Sequence, residues 1–182
     1  DDVVVPSFTF YASAEAIAVC GARPVFCDVD PETFCMTADT VRAALTPRAS
    51  AVLAVHLFGN VAPVAEIEAL GVPVIEDAAQ AAGSTLGDGP RPGALAAAGT
   101  FSFFPSKNLG CFGDGGAITT DDDEIAEQAR MLRFHGSHDK VTYDLVGYNS
   151  RLDELQAAIL RVLLPHLDGW SDGRRAAATH YE

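Results

Sequence analysis

Basic side chains are scarce in this 182-residue chain: ten arginines and only two lysines, Lys107 and Lys140, stand against 25 acidic residues, for a formal charge of -13 and a pI near 4.6. Such a field repels polyanions, which argues against nucleic acid as a partner. Long apolar runs are missing too. Although 48% of the residues are hydrophobic, no stretch reaches the roughly 18 uninterrupted apolar residues that a bilayer span needs, so a soluble protein away from membranes is expected. Cysteine is sparse as well. Cys20, Cys27, Cys35 and Cys111 form no C-x-x-C pair and have no histidine at zinc-ligand spacing, so no metal site is predicted and they read as reduced thiols of a cytoplasmic protein. Neither a leader peptide nor an initiator methionine opens the chain. Asp1-Asp2 runs straight into Val3–Val5 and the last residues stop in helix-like sequence, so an internal piece of a longer chain is expected.

Short runs rich in Val and Ile alternate with segments of helical period. The runs predict strands over Val3–Val5, Pro24–Cys27, Ala51–Val55, Val72–Ile75, Gly99–Phe103 and Ala117–Thr120. Helices are predicted over Ala12–Val19, Ala38–Leu45, Pro63–Leu70, Asp123–Arg133 and Asp153–Leu164, with Asp121–Asp123 favouring the positive end of the fourth. Strands that lack polar alternation are buried on both faces, which calls for a mostly parallel sheet covered by helices on each side, an α/β sandwich. In such sheets ligands gather beyond the carboxyl ends of the strands. The polar residues that close the runs, Ser7 and Thr9, His56, Glu76 and Asp77, and Ser102, Ser106 and Lys107, are therefore expected to face one cleft.

Lys107 is the exception that needs explaining in a chain that takes its positive charge from arginine. It follows Phe101-Ser102-Phe103-Phe104-Pro105 and precedes the glycine-rich Gly110–Gly116, whose backbone can approach a bulky ligand. A desolvated amine there suits Schiff-base chemistry; a lysine that snorkels to solvent from a strand end is the competing reading. Asp77 ends the buried run Val72–Ile75. A carboxylate in that setting calls for a cationic partner, for which a protonated pyridine nitrogen would serve, unless Asp77 caps the short segment Ala78–Ala82.

Six blocks then resemble, in order, the DegT/DnrJ/EryC1/StrS family: Val5–Phe10, Val55–Gly59, Ile75–Ala81, Phe101–Gly110, Gly113–Gly116 and Gly147–Ala158. The resemblance spans residues 1 to about 175. It implies the large domain of a fold type I aminotransferase: a three-layer sandwich around a mostly parallel mixed sheet, residues 1–165, with 166–182 leading to a missing small C-terminal domain. It implies pyridoxal 5'-phosphate as cofactor, Lys107 as the Schiff-base lysine and Asp77 as the partner of the ring nitrogen. It further implies Gln80 near the ring hydroxyl, Ser102 as a phosphate ligand and Phe10 stacked on the ring. Asn149 would reach the cofactor phosphate of a neighbouring subunit, which makes a homodimer with a shared site. Without the family, Ser102, Phe10, Gln80 and Asn149 read as a strand hydroxyl, a core aromatic, a surface amide and a turn former.

The implied activity is transfer of nitrogen from an amino acid such as glutamate to a nucleotide-linked keto sugar, with Lys107 moving the proton. Relatives that remove a sugar hydroxyl carry histidine where this chain has Lys107, so dehydration is not expected. An aminobenzoate-type synthase and a non-catalytic binding or assembly fragment remain the alternatives; with an upstream phosphate-binding turn and the small domain absent, the piece alone is expected to be weakly active or inactive. Nucleotide-fold fingerprints are absent: no G-x-G-x-x-G follows the first strand and no G-x-x-x-x-G-K-[ST] occurs. Between Arg130 and Arg151 lie four cations, Arg130, Arg133, Lys140 and Arg151, against Asp139 and Asp144. This local +2 reads either as a patch that selects small anions or as a solvated loop.

Overall fold

The computed structural model describes residues 1–181. Its order is β1 (Asp2–Pro6), α1 (Tyr11–Val19), β2 (Arg23–Cys27), α2 (Ala38–Ala44), β3 (Ala49–Val55), α3 (Val64–Glu68), β4 (Val74–Asp77), β5 (Ala98–Ser102), β6 (Gly116–Thr119), α4 (Asp123–Leu132), α5 (Glu154–Leu163) and α6 (Leu167–Ala178). The strands form one six-stranded sheet in the order β2-β1-β3-β4-β5-β6. Strands β1 to β5 pair in parallel. Thr120 Oγ1 bonds Ala97 O while Phe103 N bonds Gly115 O, so β6 runs against β5 and the sheet is mixed. Among the described residues, no helix is long and apolar enough to cross a membrane.

Local chemistry explains the helix limits. Thr37 and Thr40 cap α2 reciprocally, each hydroxyl accepting the other's backbone N–H, and Leu45 then turns extended. Asp122 accepts from Glu124 N and Ile125 N at the start of α4, and Asp153 from Gln156 N at the start of α5.

The contacts divide the chain into two compact units. In the first, Asp1–Phe101 with Ile118–Ala126, the register puts Val4, Val52, Ala54 and Val74 on one face of the sheet, where Met36, Val41, Val64 and Ile67 close the core. On the opposite face α1 packs against β1 and β2. Burial on both faces, expected from the apolar runs, is incomplete there: Phe26 is 56% and Ile75 37% exposed. A nine-residue helix is too short to cover the whole face. The second unit, Ser102–Ala117 and the chain from Glu127 onward, holds α5 and α6 and the loop between α4 and α5.

Two buried carboxylates tie the first unit together. Asp2, at the head of β1, is fully buried and takes hydrogen bonds from Arg23 Nε (3.0 Å) and Nη2 (2.5 Å) and from Thr46 Oγ1 (2.7 Å), with Arg48 Nη2 at 3.4 Å. The Arg23 and Thr46 hydrogen bonds hold its carboxyl well below the usual carboxylate range. Glu76 in β4 and His56, just after β3, are also fully buried, and Glu76 Oε2 meets His56 Nε2 at 2.8 Å. Ala62 N–H donates to His56 Nδ1, so Nε2 carries the imidazole proton and donates it to Glu76. Glu76 also accepts from Gly93 N, Leu95 N and Ala96 N. Burial pushes the Glu76 carboxyl up, but the bonds from His56, Gly93 and Leu95 together outweigh it and the net direction is down.

The glycines of this clamp are required. Gly93 has φ +91°, and a Cβ there would meet the Phe101 ring at 2.5 Å; one on Gly99 would meet Gly93 Cα at 2.3 Å. The expectation that His56 and Glu76 face a cleft is thus corrected: each satisfies the other inside the fold, because an unpaired polar group there is costly.

Both carboxyls are depressed in the folded state, so their stabilisation is complete above the ordinary range near pH 4 and is lost as pH falls below it. Denaturant midpoints measured from pH 7 to pH 2 should hold steady and then fall, and Asp2→Asn should lower the plateau and flatten the acid limb. Glu76→Ala leaves His56 and three backbone donors unpaired and should cost about 3–5 kcal/mol in the same assay, against within about 0.5 kcal/mol for the exposed Asp39→Ala.

Candidate active site

The sheet order reverses between β1 and β3: the chain runs from β1 outward to β2 and returns to place β3 on the other side. Ligands bind such sheets at the carboxyl ends of the strands beside that reversal. In the first unit those ends carry Thr9 and Phe10 after β1, the turn Leu57–Gly59 after β3, and Asp77 at the end of β4.

Asp77 follows Glu76 directly, and side chains alternate along a strand. With Glu76 anchored on the core side, Asp77 points to the α1 face. There Ser13, buried in the first turn of α1, donates its hydroxyl to Asp77 Oδ2 at 2.8 Å, and Thr9 Oγ1 lies 3.0 Å from Ser13 Oγ. Asp77 Oδ1 accepts from Ala79 N at 3.1 Å, a turn rather than a helix cap, since 78–82 form turns. His56 N–H holds the Asp77 backbone carbonyl at 3.0 Å. Among the described residues no cation pairs with the Asp77 carboxylate.

Gln80 is half-buried, and its Oε1 accepts from Phe58 N at 2.7 Å, which leaves its NH2 free to donate elsewhere. That bond steadies Phe58 at φ +59°, a left-handed conformation uncommon for a side chain of this size. Phe58, Phe34 and Phe8 pack with ring centroids 5.7 to 6.3 Å apart and remain partly exposed. Phe10 is 69% exposed at the start of α1, not a core aromatic, and its carbonyl accepts Ser13 N–H at 3.1 Å. Phe10 and Asp77 are therefore both bonded to Ser13.

In the second unit, Phe103 N bonds Gly115 O and Cys111 N bonds Phe103 O, closing a loop with Lys107 in the turn between them. A Cβ at Gly110 would meet Pro105 O at 2.6 Å, so the turn needs a glycine there. Lys107 is half-buried, its backbone N–H on Phe104 O at 2.9 Å. Ser102 Oγ accepts from Phe104 N at 3.3 Å and keeps its proton. Asn149 is exposed, and its Oδ1 accepts from Arg151 Nε (3.1 Å) and Nη2 (2.8 Å). Arg151 and Lys140 both lie over the Phe134 ring, at 5.2 and 5.5 Å from its centroid, while His138 meets Glu127 at 3.0 Å. Two of the four cations of the basic stretch are thus held by an aromatic ring, beyond simple solvation.

The six sequence-selected residues fall in both units: Phe10, Asp77 and Gln80 in the first, Ser102, Lys107 and Asn149 in the second. Thr9, expected at the cleft, lies there on Ser13, and Ser13 itself escaped the reading. Its signal was the spacing of Ser13 four residues before Ile17, which puts these two on one inward face of α1. All four cysteines are free thiols, and among the described residues no cluster of His, Cys, Asp or Glu could hold a metal ion.

The chain is 51% identical over its whole length to a pleiotropic regulatory protein of Geobacillus stearothermophilus and to a UDP-N-acetyl-3-dehydro-alpha-D-glucosamine 3-aminotransferase of Acidithiobacillus ferrooxidans, covering 50% of each. It spans about half the length of the curated relatives it matches. Among solved structures, DesV of S. venezuelae in complex with a ketimine intermediate superposes with TM-score 0.89 at 44% identity, over 100% of this chain and 50% of that one. The Bacillus subtilis protein NtdA, with bound cofactor PMP, superposes with TM-score 0.83 at 35% identity, over 92% of this chain and 39% of that one. The model of the DegT/DnrJ/EryC1/StrS aminotransferase family matches residues 1–182, and the chain belongs to that family.

Proposed function

We propose that this chain is the cofactor-binding part of a pyridoxal-phosphate-dependent aminotransferase that moves nitrogen from an amino acid such as glutamate to a nucleotide-linked keto sugar. Residues 1–165 make up most of its large domain, and 166–182 lead towards a further C-terminal domain. The enzyme works in the cytoplasm as a homodimer, with Asn149 serving the site of the neighbouring subunit.

The observation that carries the reading is Asp77: a carboxylate at the carboxyl end of β4, tied by a hydroxyl and a backbone N–H and, among the described residues, by no cation. A buried or half-buried anion with spare acceptor positions suits a positively charged N–H brought by a ligand. The rest of the donor set fits the same group. Lys107 supplies an amine at a glycine-bounded turn, Ser102 retains a hydroxyl proton for a phosphate oxygen, Gln80 retains its NH2 for a ring hydroxyl, and Phe10 presents an exposed ring. When bound, pyridoxal phosphate supplies a carbonyl that takes up amines and a ring that stores the electron pair left on the substrate carbon. Lys107 Nζ would hold the cofactor at its carbonyl carbon and, as a free amine, would move a proton between the donor's α-carbon and that carbon, serving as base and then acid. Asp77 keeps the ring nitrogen protonated, without which the ring is a poor acceptor of electrons.

Borohydride treatment of the full-length protein with pyridoxal phosphate should bleach a visible absorbance band and fix the label to the peptide containing Lys107. The chain's only other lysine, Lys140, should stay unlabelled, and label on Lys140 would remove the basis of the reading. Lys107→Ala should abolish the band and lower kcat by at least about 10²-fold, the worth of a positioned proton-transfer group; turnover of glutamate with a panel of nucleotide keto sugars measures it.

A further inference from the structure

Among the described residues, Asp77 is held by a hydroxyl and not by a cation. Ser13 is 4% exposed and donates its one hydroxyl proton to Asp77 Oδ2. That direction settles the next: with its proton committed, Ser13 Oγ accepts from Thr9 Oγ1 at 3.0 Å. Hydrogen bonding therefore runs from Thr9 to Ser13 to Asp77, and each link polarises the one after it. The first turn of α1 sets the spacing, since Ser13 N bonds Phe10 O and places Thr9 and Ser13 one turn apart. Ala79 N–H takes the other carboxylate oxygen, so two separate segments grip the group and fix its rotamer. An arginine or lysine in place of Ser13 would orient the carboxylate too, but would neutralise it. A hydroxyl orients it and leaves its charge to a ligand.

We infer that Ser13, backed by Thr9, is a positioning residue for Asp77: the relay presets the carboxylate so that the ring nitrogen of pyridoxal phosphate meets an acceptor already in place. The inference rests on the proposed function for the ligand, but the relay can be tested without it.

In the full-length, cofactor-free protein, isotope-edited infrared spectra should show the Asp77 carboxylate stretch displaced in Ser13→Ala, displaced less in Thr9→Val, and close to wild type in Ser13→Thr. In the protein loaded with ¹⁵N-ring-labelled pyridoxal phosphate, Ser13→Ala should move the ring-nitrogen resonance towards its unprotonated position. It should also lower kcat of the amino-donor half-reaction about tenfold or more, the worth of a hydrogen bond to a charged group, with donor KM within about twofold. Ser13→Thr should restore both. A Ser13→Ala protein that binds cofactor with unchanged nitrogen resonance and kcat would overturn the inference, as would an unmoved carboxylate stretch; if that variant fails to fold, an unmoved stretch in Thr9→Val would do so. A stretch displaced by Ser13→Ala, in a protein whose wild type takes up no cofactor, would uphold the relay and sink the proposed function instead.

Discussion

Two consecutive carboxylates at the end of one buried strand face opposite ways, and the site follows from that constraint. Strand alternation sends Glu76 into the core and Asp77 to the other face, so whatever fixes one fixes the other. Glu76 is fixed by four donors, three of them backbone N–H groups of the segment 93–96 and the fourth His56. His56 acts twice, because its backbone N–H also holds the Asp77 carbonyl. The end of β4 is thereby pinned to the end of β3, and Asp77 has little freedom to turn inward.

The clamp also shows how an acidic protein can offer a well-placed negative charge without losing it to a cation of its own. Asp2 and Asp77 illustrate the difference. Asp2 is surrounded by Arg23 and Arg48 and its charge is spent on joining β1, β2 and the segment before β3. Among the described residues, Asp77 is served by neutral donors alone. Both are satisfied as hydrogen-bonding groups, but only the second retains an electrostatic demand that a ligand can meet.

Much of this was legible in the sequence. The β-α-β rhythm predicted all six strands because runs such as Val3–Val5 and Ala51–Val55 lack polar alternation and are bounded by turn residues. Lys107 and Asp77 stood out because each breaks an apolar run. The cover of the α1 face was overestimated, since Phe26 and Ile75 look like core residues in sequence and nothing local says how far a neighbouring helix extends. His56 was misread for a related reason: a polar residue at a strand end can face a ligand or a buried partner, and the partner, Glu76, lies twenty positions away. Ser13 was missed because a small hydroxyl in an alanine-rich helix carries no pattern until Asp77 is placed beside it.

The most direct measurement of the central claim is a crystal structure of the full-length protein with pyridoxal phosphate bound. The account predicts an Asp77 oxygen within about 3.2 Å of the ring nitrogen, Ser13 still on the same carboxylate, and Glu76 still buried on His56. A ring nitrogen facing any other group, with Asp77 turned away from it, would contradict the account.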